Sequence, residues 1–162
     1  MSILEVRRDM ANSTMTVTTE WDAPIERVWE LWSDPRALER WWGPPTYPAT
    51  VGTHEFMPGG TVSYSMTGPE GDQHKGFWSV ISVDPPRSFV AVGRVAHAAG
   101  SPPAPLPVPR FTVTLDERGG RTRMVIESRF ESAQHLQEVL DMGMEEGLAA
   151  ALGQIDTVLT ER

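Results

Sequence analysis

From residue 46 to residue 130 the chain breaks into short runs, most of them alternating apolar and polar, each closed by glycine or proline. That punctuation limits the fold more than any other feature. TVSYSMTG (61–68) puts Val62, Tyr64 and Met66 on one face and Thr61, Ser63 and Ser65 on the other, the period of a strand with one buried side. The turns MPGG, PEGDQ, DPP and RGG separate it from TYPATVGTHEF, HKGFWSVISV, RSFVAVGRVAH and a closing pair, RFTVTLDE and RTRMVIESRF. Strands joined by turns this short run antiparallel. One stretch interrupts them: AAGSPPAPLPVP (98–109) holds five prolines and is expected as an extended loop.

Helical signals flank these runs. STMTVTTEWD (13–22) reads as a first strand with Met15, Val17, Thr19 and Trp21 on one face. Pro24 then opens a helix whose Ile25, Val28, Trp29 and Trp32 fall on one stripe. Asp34 and Pro35 cap a second short helix carrying Leu38, Trp41 and Trp42, and Gly43-Pro44-Pro45 stops it. Ser132 caps one long helix to about residue 160, with the stripe Leu136, Leu140, Met144, Leu148, Ala151, Ile155 and Leu159. At about 1.5 Å per residue it would span some 40 Å. Residues 1–12 show no period and are expected as a loose lead-in to a single domain over 13–162. The fold class is therefore α+β: a curved antiparallel sheet of six to seven strands, two short helices after the first, and a long C-terminal helix across it.

Composition narrows the partners. A formal charge of −8 with scattered arginines and one lysine argues against binding a phosphate backbone or an anionic membrane. No run is long and apolar enough to span a bilayer, no secretory signal opens the chain, and there is no cysteine, so a cytoplasmic location is the default. His54, His74, His97 and His135 are too dispersed for a metal site, no nucleophile or phosphate-loop motif occurs, and no cofactor is expected.

The segments APIERVWELWSDPRALERWWGPP, TVSYSM, GFWSVISVDPPRSFV and MGMEEGLAAALGQIDTVL together resemble the START-like (SRPBCC) helix-grip superfamily. The branch they resemble most is that of bacterial homologues of the activator of the heat-shock-protein ATPase. The resemblance covers about residues 13–160 and implies the same fold as the strand and helix pattern. It implies a wide range of functions, from lipid carriers and hormone receptors to polyketide cyclases and cochaperones. The cochaperone role is the less expected one, because eukaryotic members use a separate N-terminal domain for much of the chaperone contact.

A long helix cannot touch the whole of a strongly curved sheet, so the gap becomes a cavity unless large side chains fill it. The residues expected to line it are Trp29, Trp32, Trp41, Trp42, His54, Phe56, Tyr64, Met66, Trp78, Phe89, Arg94, Phe111, Met142 and Glu146. Of the tryptophan pair, one is expected to pack on the domain body and the other to lie near the cavity mouth, as a plug or as a gate hinged at Gly43. Gly143, Gly147 and Ala151 form a track of small residues whose cost in a helix implies either close packing or a ligand beside it. The expected partner is a small hydrophobic or aromatic molecule, held by a carrier, sensor or sequestering protein. A cyclase- or dehydratase-like enzyme using His54, Arg94 or Glu146 is the alternative. A protein-binding patch of exposed tryptophans is a third reading, and a homodimer is left open.

Overall fold

The computed structural model describes residues 2–96, 109–141 and 143–160. Eight antiparallel strands form one curved sheet: β1 (Ser2–Asp9), β2 (Thr14–Trp21), β3 (Ala49–His54), β4 (Thr61–Thr67), β5 (Gln73–Asp84), β6 (Ser88–Ala96), β7 (Arg110–Arg118) and β8 (Arg121–Arg129). Their order is β1-β2-β8-β7-β6-β5-β4-β3, so from β3 to β8 each strand lies beside its neighbour in sequence. Helices α1 (Ile25–Ser33) and α2 (Pro35–Trp41) follow β2, and α3 (Ala133–Asp141), α4 (Met144–Leu152) and α5 (Ile155–Thr160) end the chain.

The strand count corrects the expected six to seven, because residues 1–12 are not a loose lead-in. Ser2–Asp9 pairs with β2 as the edge strand β1. Its charges, Glu5, Arg7, Arg8 and Asp9, hide the alternation, and such charges suit an exposed edge. The hairpin turn is held by Asp9, whose carboxylate accepts from the Asn12 backbone N–H (3.1 Å) and side-chain amide (2.8 Å).

Elsewhere the inward faces follow the expected phase. Met15, Val17, Thr19 and Trp21 are buried on β2. On β7 and β8, Val113 stands opposite Ile126 and Leu115 opposite Met124, all buried. Asp34 caps α2 by accepting from Arg36 N–H at 2.9 Å, and Pro35 fills its first turn.

The C-terminal region corrects a second expectation. One long helix is replaced by three segments. Gly143 caps α4 with φ +90°, a left-handed conformation that a helix interior cannot hold. A second joint falls at Gly153-Gln154, where Gln154 turns its side chain back to donate to the carbonyls of Trp41 (3.2 Å) and Gly43 (2.6 Å). Leu136 anchors α3, Ala151 and Leu152 the end of α4, and Ile155 and Val158 anchor α5. Leu140, Leu148 and Leu159, expected on the buried stripe, are only half-buried. Arg8 on β1 reaches across to Glu145 in the first turn of α4, with Nε and Nη2 lying 2.9 and 2.7 Å from one carboxylate oxygen.

Candidate functional site

The sheet's inner face and the α1–α2 corner bring the aromatic candidates into one connected cluster. Trp32 is its centre, with ring centroids 4.8 Å from Trp41, 5.1 Å from Phe89 and 5.8 Å from both Trp42 and Trp78. Most of these rings meet edge to face, the arrangement aromatic quadrupoles favour. Trp29 and Phe56 join through Phe89, and Phe111 packs on Trp78 at 5.3 Å. Trp29, Trp32, Trp41, Trp78, Phe89 and Phe111 are buried. Trp42, Phe56, Tyr64, Met66 and His54 are half-buried. Of the pair in LERWWGPP, Trp41 is sealed in the body while Trp42 remains partly uncovered. No tryptophan is exposed, which removes the surface tryptophan patch as a protein-docking face.

The polar candidates separate. His54 Nε2 lies 3.0 Å from the Trp32 carbonyl, so the imidazole closes the end of α1 while its ring stacks on Phe56. Glu146 is exposed on α4. Arg94 stands opposite Phe77 in the sheet register, but its side chain, like Met142, His97 and most of the proline-rich stretch 98–109, lies outside the described residues.

Gly43 sits in a closely packed corner. A Cβ added there would sit 2.1 Å from the Tyr47 carbonyl oxygen, and Gln154 ties both Gly43 and Trp41 to the C-terminal segment. Beyond the corner, Tyr47 Oη donates to Asp72 at 2.7 Å, clasping the loop after α2 to the β4–β5 turn. That hydrogen bond raises the Tyr47 pKa and lowers that of Asp72.

Tyr64 sits differently. Its cross-strand partner is Gly76, and a Cβ on Gly76 would come within 2.5 Å of the phenol oxygen. The ring therefore lies over a glycine that leaves room for it. A strand glycine marks such close approaches, and that is the signal by which the pair could have been read from HKGFW. Burial raises the Tyr64 pKa, and the indoles of Trp42 and Trp78 act weakly in the opposite direction.

The chain's two tyrosines, Tyr47 and Tyr64, thus both hold their protons more tightly folded than unfolded. Unfolded phenols ionise near pH 10, so the denatured chain releases these protons first. Stability from this source is intact below about pH 10 and is lost as pH rises through the raised values. Spectrophotometric titration should show both phenols ionising at higher pH in the native protein than in denaturant. A native phenol that titrates at or below its denatured position would contradict this.

A curved antiparallel sheet gripped by a C-terminal helical segment, with a helical corner after its second strand, defines a helix-grip domain. Residues 22–160 match the model of the family described as Activator of Hsp90 ATPase homolog 1-like protein, and the chain belongs to that family. The crystal structure of protein Ms6760 from Mycobacterium smegmatis is similar at 42% identity and TM-score 0.89, covering 99% of both chains. A solution structure of an Arthrobacter aurescens protein is 43% identical with TM-score 0.93, over 99% of this chain and 94% of that one. A Staphylococcus epidermidis protein at 22% identity and TM-score 0.82, over 98% and 94%, shares the fold. No curated protein matches the chain. Among the described residues no helix is long and apolar enough to cross a membrane.

Proposed function

We propose that this domain binds a small apolar or aromatic molecule between α4 and the sheet, as a carrier, sensor or sequestering protein. The observation that carries the reading is Gly147. It is half-buried on α4, yet among the described residues a Cβ added there would meet no atom within 4 Å. A glycine inside a helix costs about 0.8–1 kcal/mol relative to alanine. With no described backbone needing the room, close packing against the described residues does not account for it. A guest lying against the helix does.

Three further features support the reading. Among the described residues of α4 only Ala151 and Leu152, at its end, are buried. Trp42, Tyr64, Leu140 and Leu148 pack against the core but remain partly uncovered, which leaves apolar surface for a ligand to bury at about 25 cal/mol per Å². The packing of Trp32 against Trp41 and Phe89 leaves no comparable uncovered surface at its own position, which supports a guest beside α4 instead.

A panel of aromatic compounds and fatty acids should raise the melting temperature and quench tryptophan fluorescence. Gly147→Phe is expected to keep the fold and weaken that binding at least tenfold, because the ring takes the guest's place. A flat response of the native protein across the panel would sink the reading.

A further inference from the structure

The two edges of the sheet are finished differently. At β3 the edge is taken up by α2: Glu39 accepts from the Val51 N–H at 3.0 Å, and Arg36 donates to the Val51 carbonyl at 3.1 Å. The same two side chains pair with each other at 3.1 Å. At β1 the sheet ends on a strand that leaves Leu4 48% and Val6 38% exposed. An edge of this kind presents backbone N–H and C=O groups ready to pair with another strand. Its side chains show which strand it suits. Val6 and Arg8 stand opposite the buried Val17 and Met15, which puts them on the inner face of the sheet. Glu5 and Arg7 stand opposite Thr18 and Thr16 on the outer face, where both are exposed and β2 sets only threonine directly across from them.

A second copy laid antiparallel against this edge is related to the first by a two-fold axis normal to the sheet. Inward residues then meet inward ones and outward residues outward ones, so the possible registers differ by steps of two residues. With Val6 opposite its own counterpart, Glu5 faces Arg7 on both sides of the axis. The neighbouring registers set Glu5 against Glu5 or Arg7 against Arg7, and like charges directly opposite destabilise a sheet. Charges on an edge strand discourage indiscriminate pairing. Here their order repels the neighbouring registers and favours one, in which the exposed Val6 is covered by its counterpart and Leu4 lies along Arg8.

We propose that the β1 edge is a homodimer interface, two copies pairing antiparallel about Val6 to make one continuous sheet. The irregularity between Ile3 and Glu5 and the turn held by Asp9 confine the ladder to residues 4–8. So short a ladder falls below the roughly 1,200 Å² of a standard interface, and the dimer is therefore reversible and concentration-dependent.

Sedimentation velocity over a concentration series tests this. The native protein should shift from monomer to dimer as concentration rises. Glu5→Arg turns two attractive cross-strand pairs into two repulsive ones and should weaken association about tenfold. Adding Arg7→Glu to it exchanges the charges within the same register and should restore the native affinity. These side chains are exposed, so circular dichroism should show all three proteins equally folded. The register has its own readout. The chain has no cysteine, and residues directly opposite lie about 4.5–5.5 Å apart between Cα atoms, so Val6→Cys should oxidise to a disulfide-linked dimer. A native protein that stays monomeric throughout the series would overturn the proposal. So would a dimer indifferent to Glu5→Arg, one that the double exchange fails to restore, or a Val6→Cys protein that does not cross-link.

Discussion

Replacing Trp32 by alanine is expected to cost about 3–5 kcal/mol of folding stability, the range for truncating a large aromatic in a closed core. The indole is fully buried. It touches Trp41, Trp42, Trp78 and Phe89, and its Nε1 donates to the Met124 sulfur at 3.3 Å. Its partners come from α2, the segment after it, β5, β6 and β8, so a void at Trp32 loosens the contact between the α1–α2 corner and the sheet. The neighbours are rings held by their own constraints: Trp41 Nε1 donates to the Leu31 carbonyl at 3.0 Å, and collapse into the void would break that bond. A domain of this size has a total stability of about 5–15 kcal/mol, so the variant should sit near the edge of folding. Denaturant unfolding measures it directly, with the midpoint shifting and the slope unchanged. A loss below about 1 kcal/mol would mean that the aromatic cluster is not a closed core, and that a guest could reach the corner after all.

How far the sequence anticipates this depends on how local the determining physics is. The β2 face, the Pro24 and Asp34 caps and the β7–β8 hairpin were legible because alternation, capping and turn chemistry act over a few residues. The edge strand β1 was not, since pairing with β2 outweighs a charge-rich pattern with no clear period. Apolar spacing along residues 132–160 fits one continuous helix, and the pattern carries no trace of where Gly143 adopts a positive φ or where Gln154 is pulled toward the corner. The aromatic members of the candidate site were nameable because tryptophan and phenylalanine are rarely spent on a surface. Which of them close the core and which stay uncovered is a matter of tertiary distance: Trp41 and Trp42 are neighbours in sequence and differ in burial. His54 shows the same limit, because its partner is a carbonyl of α1 that no spacing rule connects to it.

The second large effect concerns Gly43 and separates a locked corner from a moving one. Alanine at this position would place Cβ 2.1 Å from the Tyr47 carbonyl oxygen and 3.1 Å from the Ala49 nitrogen. Both are backbone atoms, so no rotamer change relieves the clash. The loop must move as a unit, and with it the Tyr47 N–H bond to Pro44, the Tyr47–Asp72 clasp, the start of β3 and the two bonds from Gln154. Overpacking of this kind costs about 3 kcal/mol when the surroundings are rigid. The same substitution at Gly147 has the opposite sign: with nothing among the described residues within 4 Å and a helical backbone, alanine should stabilise by about 0.5–1 kcal/mol. Measured side by side, the two variants compare one added methyl group in a filled place and in an empty one. Tolerance of Gly43→Ala would revive the corner as a hinge. A loss at Gly147→Ala would mean that the space beside α4 is not there for a guest to occupy.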